Sequence, residues 1–432
     1  MSLKRFVIRE EHFGALVYDR DRKDYIPFDS HAAAVFKESA AGTPIDEIYS
    51  KLNGATSEQN FKTFVSLCQS IELLDSQGHF AGGFIDFSPE EISCLSAPLK
   101  VHLQITNECL LKCRHCSQES RNPFDNELTF KEICLFIDQL ANMGTQELSI
   151  GGGEPFLRED LVNIVSYANQ KGLSVSLSTS GLFVSRATAK KLSEAGLKQI
   201  RISFDGASEK SYDYFRGKGT YRRAIRGIKT LRELFDCPII LHSVIMKPNL
   251  GELLSLFKAV QKLEANTWSI DYMLPVGLAE PLTQFALQES DAFLIARSVK
   301  RFSEDSSLKI IMPRFPYKAP KFGVYIGFGC TGAHVYCFVN ASGDVKACSF
   351  MPNTYIAGNI RETKSFREIW LESPVFKDMR NIIVNETCGS CNYYNSCRGG
   401  CRARSVIAGN IENVDPLCFL SDENSRRAES GV

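Results

Sequence analysis

The sequence predicts an α/β protein. Its middle is a partial, TIM-like (β/α)6 barrel, with a small winged-helix-like α+β domain before it and a cysteine-rich domain after it. Three observations predict this. From residue 100 to about 305, short apolar runs alternate with amphipathic stretches at helical spacing, the signature of a parallel sheet with helices outside. Before residue 85, three strand-like runs precede three helical ones. Of the fifteen cysteines, three fall within residues 109–116 and eight after residue 329.

Apolar residues make up 44% of the 432-residue chain and charged residues 23%, with Lys+Arg and Asp+Glu at 50 each. That length exceeds one ordinary core, so two or three domains are expected. Balanced charge offers no basic surface for nucleic acid or an anionic membrane, and neither is expected as a partner. The start, Met1-Ser2-Leu3-Lys4-Arg5, soon reaches Glu10 and Glu11, so no signal peptide is expected. No run of about 18 apolar residues is present to span a bilayer. Fifteen cysteines without an export signal point to metal binding or catalysis rather than disulfides, and to a cytoplasmic location.

In the first domain, strands are expected at Phe6–Arg9, Ala15–Tyr18 and Tyr25–Phe28, with a turn at Asp19-Arg20-Asp21. Ser30 is placed to cap a helix through Phe36, and Pro44 to open one ending near Leu52. Thr56 and Gln59 form a capping box ahead of an apolar face of Phe61, Phe64, Val65, Cys68 and Ile71. Gly82-Gly83 and Ser88-Pro89-Glu90-Glu91 look like a linker. The expected boundaries are 1–85 for this domain, 86–99 for the linker, 100–305 for the barrel and 306–432 for the last domain.

The barrel strands are expected at Val101–Ile105, Glu147–Ile150, Ser174–Ser178, Gln199–Phe204, Ile239–Ile245 and Thr267–Tyr272. Helices are expected at Thr129–Met143, Asp160–Gln170, Ser185–Ala195, Tyr221–Leu234 and Leu250–Leu263. Six units fall short of the eight that close a barrel, and chemistry in such folds collects in loops after strand C-terminal ends. Cys109-x3-Cys113-x2-Cys116 follows the first strand, where such a loop belongs. A four-iron cluster takes four ligands, so three thiolates leave one iron open. The spacing alone also permits zinc.

The cysteine loop joins Gly152-Gly153-Glu154-Pro155 after the second strand, Ser178-Thr179-Ser180-Gly181 after the third and Ser203-Phe204-Asp205-Gly206 after the fourth. Together these resemble the radical SAM superfamily. The resemblance implies that Cys109, Cys113 and Cys116 hold a 4Fe-4S cluster whose open iron takes S-adenosyl-L-methionine. It implies that Gly152, Gly153 and Glu154 line the methionyl amine, that Ser178 and Ser180 meet the ribose, and that Ser203 and Arg216 hold the methionyl carboxylate. His115 stands where the family usually has an aromatic. An ordinary turn remains the alternative for the two serines, a surface charge for Arg216 and a helix-start acid for Glu154.

Downstream come Cys330, Gly343-x4-Cys348, Cys388-x2-Cys391-x5-Cys397-x3-Cys401 and Cys418. This is similar to the SPASM pattern of radical SAM maturases, with Cys337 as an eighth cysteine. The resemblance implies two fully ligated auxiliary clusters, one on Cys330, Cys337, Cys348 and Cys401, the other on Cys388, Cys391, Cys397 and Cys418. That makes three 4Fe-4S clusters, with the auxiliary pair serving electron transfer or simply stapling the domain. Residues 1–80 resemble PqqD-like domains, which implies leader-peptide docking by β-augmentation. The edge near Asp24–Phe28 is the candidate, and a structural cap on the barrel is the alternative.

The expected function is that of a radical SAM peptide maturase. A 5′-deoxyadenosyl radical takes hydrogen from a carbon of a ribosomally made precursor peptide, which closes an intramolecular cross-link. Flavodoxin or ferredoxin would donate the electron. Tyramine excision is the alternative within the superfamily. Sulfatase-maturase chemistry fits less well, because Ser349 stands where those enzymes place an aspartate after Cys348. The quinone-cofactor maturase also fits less well, since it uses an aspartate among its auxiliary ligands. An iron–sulfur carrier or peptide-binding scaffold is the non-enzymatic alternative. No catalytic base is legible, and Cys68, Cys94, Cys134 and Cys237 are assigned no chemistry.

Overall fold

The computed structural model describes residues 4–52, 56–75, 78–86, 94–313, 329–382, 384, 386–391 and 394–418. The expected linker run Ser88-Pro89-Glu90-Glu91 lies outside the described residues.

Strands β1 (Phe6–Glu11), β2 (Gly14–Asp19) and β3 (Asp24–Phe28) form an antiparallel meander. Helices α1 (Ser30–Ala40), α2 (Ile45–Lys51) and α3 (Glu58–Ser70) follow. Two caps differ from expectation by one residue. Asp29, not Ser30, accepts the Ala32 N–H at 2.9 Å, and Ser57 rather than Thr56 accepts the Asn60 N–H at 3.2 Å. Gly82-Gly83 is also not a linker. It begins β4 (Gly82–Ile85), which pairs parallel with β1 and gives the order β3-β2-β1-β4. A Cβ on Gly82 would sit 2.9 Å from Ile8, so glycine lets this strand close against the core. Strand β3 remains an edge, as expected.

The six barrel strands lie parallel and in sequence order: β5 (Lys100–Gln104), β6 (Glu147–Gly151), β7 (Ser174–Thr179), β8 (Gln199–Ser203), β9 (Ile239–Ile245) and β10 (Thr267–Tyr272). Around them stand α4 (Phe130–Asn142), α5 (Leu161–Gln170), α6 (Arg186–Glu194), α7 (Glu209–Arg216), α8 (Thr220–Leu234), α9 (Lys247–Leu250), α10 (Leu253–Lys262) and α11 (Glu289–Glu304). Thr129 and Glu132 close a full capping box on α4. Neither α7 nor α11 was legible as an expected element. The former is only eight residues long and set by its Ser208 cap.

Strand alternation sorts the side chains. Val101, Leu103, Leu148, Ile150, Val175, Leu177, Ile200, Ile202, Leu241 and Ile270 are buried in the layer beneath the helices. The opposite residues, among them His102, Ser178, Arg201, Ser203, His242 and Asp271, are only partly buried and line the interior. A closed eight-stranded barrel fills this space with branched apolar side chains. Here it is polar.

The sheet continues past both ends of the six strands. Strand β11 (Lys309–Ile311) adds beside β10. On the other side, β12 (Tyr336–Val339) pairs parallel with β5, and β13 (Asp344–Lys346) and β14 (Ile356–Asn359) follow antiparallel. The cysteine-rich region therefore shares one ten-stranded sheet with the barrel. The first sheet docks beneath the barrel, at strand N-terminal ends. The buried Arg9 guanidinium pairs with Glu11 at 2.6 Å and donates to the Ala97 carbonyl at 3.1 Å, and Tyr25 Oη donates to the Leu99 carbonyl at 3.3 Å.

Candidate functional site

The cysteine loop leaves the C-terminal end of β5 and is held by its own side chains. The Glu127 carboxylate accepts from the Asn107 N–H at 2.6 Å and the Phe124 N–H at 3.1 Å. The Cys109 N–H donates to the Arg121 carbonyl at 2.9 Å. The two glycines after β6 serve this loop directly. A Cβ on Gly152 would stand 2.4 Å from the Thr106 carbonyl oxygen, and one on Gly153 would stand 2.2 Å from that of Glu108. The side of each glycine that would carry a Cβ is filled by the cysteine loop itself. Gly153 and Glu154 N–H groups tie the contact at 2.8 Å each, to Thr106 and Glu108.

Asp205, buried at the end of β8, joins three elements. Its Oδ2 takes His115 Nε2 from the cysteine loop at 3.0 Å and Arg216 Nε from α7 at 2.6 Å. Its Oδ1 takes the Val244 N–H of β9 at 2.8 Å. Burial opposes its charge, but Arg216 and His115 outweigh burial and hold the carboxyl well below its ordinary range. Arg216 keeps two terminal guanidinium nitrogens without a protein partner among the described residues, near the half-buried Cys113 thiol. His115 Nδ1 is buried with no hydrogen-bond partner among the described residues. The loop thus presents three thiols, an uncommitted guanidinium edge and an orphaned imidazole nitrogen. That set fits a cluster whose open iron takes an amino-acid ligand.

Glu154 is a second hub. Its fully buried carboxylate accepts from Thr179 Oγ1 at 2.6 Å, from the Ser180 N–H at 3.0 Å and from Ser180 Oγ. Burial still pushes its pKa up despite these donors. Glu154 and Ser180, both expected at the cofactor, bond each other. Glu154 is satisfied by its own chain, and the Ser180 hydroxyl is committed to Glu154 and to the Leu182 N–H at 3.3 Å. Both hold the β6 and β7 loops together. Ser178 and Ser203 instead lie partly exposed on the interior face.

Downstream, cysteines gather in two sets. Cys348 senses the charge of Cys330 and Cys401, and Cys388 that of Cys391 and Cys418, as Cys397 does that of Cys388 and Cys418. Of the expected first quartet, Cys337 is fully buried on β12, and alternation turns it to the face opposite Tyr336 and Phe338. Among the described residues, no three His, Cys, Asp or Glu side chains converge as ligands of one metal ion.

Inside the barrel, His242 Nε2 and Asp271 Oδ2 approach to 2.9 Å. Burial lowers the His242 pKa to about 3, so its ring is neutral and donates to the carboxylate. Burial raises Asp271, against Arg201 and Arg404, although its side chain is 46% exposed to the cavity. Sequence reading missed Asp205, Thr179, His242 and Asp271 as site residues. Asp205 and Thr179 sat inside quoted motifs. For His242 and Asp271, a charged residue at an interior position of a strand was the available signal.

The radical SAM superfamily description matches residues 103–258, and the iron–sulfur cluster-binding SPASM description matches residues 330–401. An AdoMet-dependent heme synthase from Methanosarcina barkeri is 31% identical over 76% of this chain and 98% of its own. The mycofactocin maturase MftC of Mycobacterium ulcerans is 30% identical over 75% of this chain and 88% of its own. The fold of Streptococcus suis SuiB, in a crystal structure with the precursor peptide SuiA, covers 96% of this chain and 98% of its own, with a TM-score of 0.72 at 18% identity. Taken with the three-thiol loop and its Asp205 hub, these matches make the chain a member of the radical SAM superfamily, in the branch of enzymes that carries a SPASM domain and uses S-adenosyl-L-methionine with 4Fe-4S clusters.

Proposed function

We propose that this enzyme modifies a ribosomally made precursor peptide, forming an intramolecular cross-link. The observation that carries this reading is the edge of β3, unpaired among the described residues, on a small sheet fixed to a radical SAM barrel. An extended leader can add there by backbone pairing. When bound, S-adenosyl-L-methionine and its cluster supply a 5′-deoxyadenosyl radical that removes hydrogen from a peptide carbon.

The chain's own residues position and protect that chemistry. Cys109, Cys113 and Cys116 hold the first cluster. Arg216 offers its free nitrogens to the methionyl carboxylate, Ser178 and Ser203 line the interior face, and His115 presents Nδ1. Gly152 and Gly153 fix the loop by backbone contact. Asp271, oriented by His242, is the proton acceptor in the interior. Cys388, Cys391, Cys397 and Cys418 hold one auxiliary cluster. The boundaries proposed are 1–85 for leader docking, 100–305 for the radical SAM barrel and 306–432 for the SPASM domain. A flavodoxin or ferredoxin in the cytoplasm is the proposed electron donor. Among the described residues no helix is long and apolar enough to cross a membrane.

The heme synthase relative favours a second reading, oxidation of a tetrapyrrole. Against it, the heme synthase matches 76% of this chain, whereas the fold of SuiB, solved with a precursor peptide, covers 96%. The test is co-expression with a small peptide encoded beside the gene, followed by mass spectrometry. A product lighter by a hydrogen pair, lost when residues 4–85 are deleted, supports the peptide reading. Unchanged peptide, with a tetrapyrrole consumed instead, overturns it.

A further inference from the structure

The barrel interior carries a charge that the fold leaves open. Arg201 stands on the interior face of β8, and the register of the sheet fixes its neighbours. It lies opposite Ser178 of β7 and Ile240 of β9. One step along the same face is Ser203, which lies opposite His242. His242 in turn reaches Asp271 on β10 at 2.9 Å. Arg201 therefore stands between the interior serines of β7 and β8 and the His242–Asp271 pair.

Arg201 is partly buried, yet its guanidinium makes no hydrogen bond and no ion pair among the described residues. Sheltered arginines elsewhere in the fold have partners. Arg9 has Glu11 and Arg404 has Asp415, each at 2.6 Å. Arg402 donates to the Ile411 and Asn413 carbonyls. Lys100, the interior cation of β5, has Glu147 of β6 at 3.7 Å.

The groups around Arg201 do not supply a counter-ion. Burial, with Lys100 and Arg201 nearby, lowers the His102 pKa to about 3, and burial does the same for His242, so both rings are neutral. Asp271 feels the Arg201 charge but forms no ion pair with it, and its Oδ2 is engaged by His242. A guanidinium offers five N–H donors in a planar fork, which fits a carboxylate at two points. A sheltered charge is costly unless water or a ligand answers it. An open guanidinium edge beside a candidate proton acceptor is placed to receive an anionic group of the substrate.

We propose that Arg201 anchors the substrate: its guanidinium holds a carboxylate of the bound peptide in the space between Ser178, Ser203 and the His242–Asp271 pair. The carboxylate is an acidic side chain of the modified segment or the C-terminus of the peptide, and its source rests on the peptide reading above. This makes Arg201 a specificity-determining residue. A neutral segment in the same place leaves the guanidinium without a counter-ion, so the site favours an acidic one.

The test uses the full-length, reconstituted protein with S-adenosyl-L-methionine present. The first probe is 4-fluorophenylacetate, with neutral 4-fluorophenylacetamide as control, followed by fluorine NMR. The wild type should bind the carboxylate and not the amide. Arg201→Gln should weaken carboxylate binding about 10–100-fold, with Arg201→Lys in between. No difference between wild type and Arg201→Gln, with circular dichroism unchanged, overturns the inference. A matching loss of S-adenosyl-L-methionine affinity in Arg201→Gln also overturns it, since the guanidinium then serves the cofactor. The second probe is the small peptide encoded beside the gene, made with its C-terminus amidated or with its acidic side chains changed to amides. Arg201→Gln should raise KM for the natural peptide about 10–100-fold, more than it lowers kcat. It should add no loss for the neutralised peptide that lacks the partner, and that arm names the carboxylate. Additive losses in every arm overturn the inference. A wild type that binds the fluorinated carboxylate but leaves the peptide unmodified keeps the carboxylate site and removes the peptide reading.

Discussion

His115 Nε2 and Arg216 Nε meet on the same oxygen of Asp205, at 3.0 and 2.6 Å. One residue belongs to the cysteine loop and the other ends α7, so a single carboxylate sets the position of the loop relative to the Arg216 guanidinium.

Replacing Asp205 with Asn should lower S-adenosylmethionine affinity about 10–100-fold, the usual cost of losing a group that orients ligands. Breaking a buried pair should also cost about 3–5 kcal/mol of stability. Because the folded pKa is depressed, the stabilisation is present above the ordinary carboxylate value of about 3.9 and is lost as pH falls toward the folded value. Equilibrium dialysis and thermal melts against pH check this. An Asn variant with wild-type affinity and the same acid dependence would refute it.

Thr179→Val removes a donor from buried Glu154 and should cost about 1–3 kcal/mol. The Glu154 pKa is raised in the fold, so its charged form is disfavoured there and stability falls as pH rises above the ordinary value. Losing a donor should steepen that fall. Melts of the variant should therefore diverge from wild type more at pH 7 than in acid.

Gly153→Ala places a methyl against the Glu108 carbonyl at 2.2 Å and must move the cysteine loop. The expected outcome is loss of about four irons and of 5′-deoxyadenosine production. Full iron content would show that the loop can yield.

Asp271→Asn tests the proton acceptor. Product formation should fall about 10²–10⁴-fold while 5′-deoxyadenosine is still released. With a raised pKa, wild-type Asp271 becomes a base only above its ordinary range, so the wild-type rate should climb with pH through that folded value. The Asn variant should lack this limb. An unchanged pH profile removes Asp271 from the reaction.

Local pattern made the strand–helix order, the edge at β3 and the cysteine spacing legible, because alternation and helical period are written residue by residue. The same reading missed β4, since a Gly-Gly pair resembles a turn until Ile8 is seen to need the space. It also did not show that Glu154 and Ser180 bond each other, because motif proximity carries no hydrogen-bond partner.

Spacing along the chain was enough to single out the thiols of the first loop. Only the tertiary structure decided where each side chain points. Cys337 matches a ligand pattern in sequence, yet the pairing of β12 with β5 turns it into the apolar layer. His242 and Asp271, 29 residues apart, meet because neighbouring parallel strands place them side by side. The physical reason is the same in both cases. Ligand identity follows from residue type, but orientation is set by strand register, which depends on partners distant in the chain.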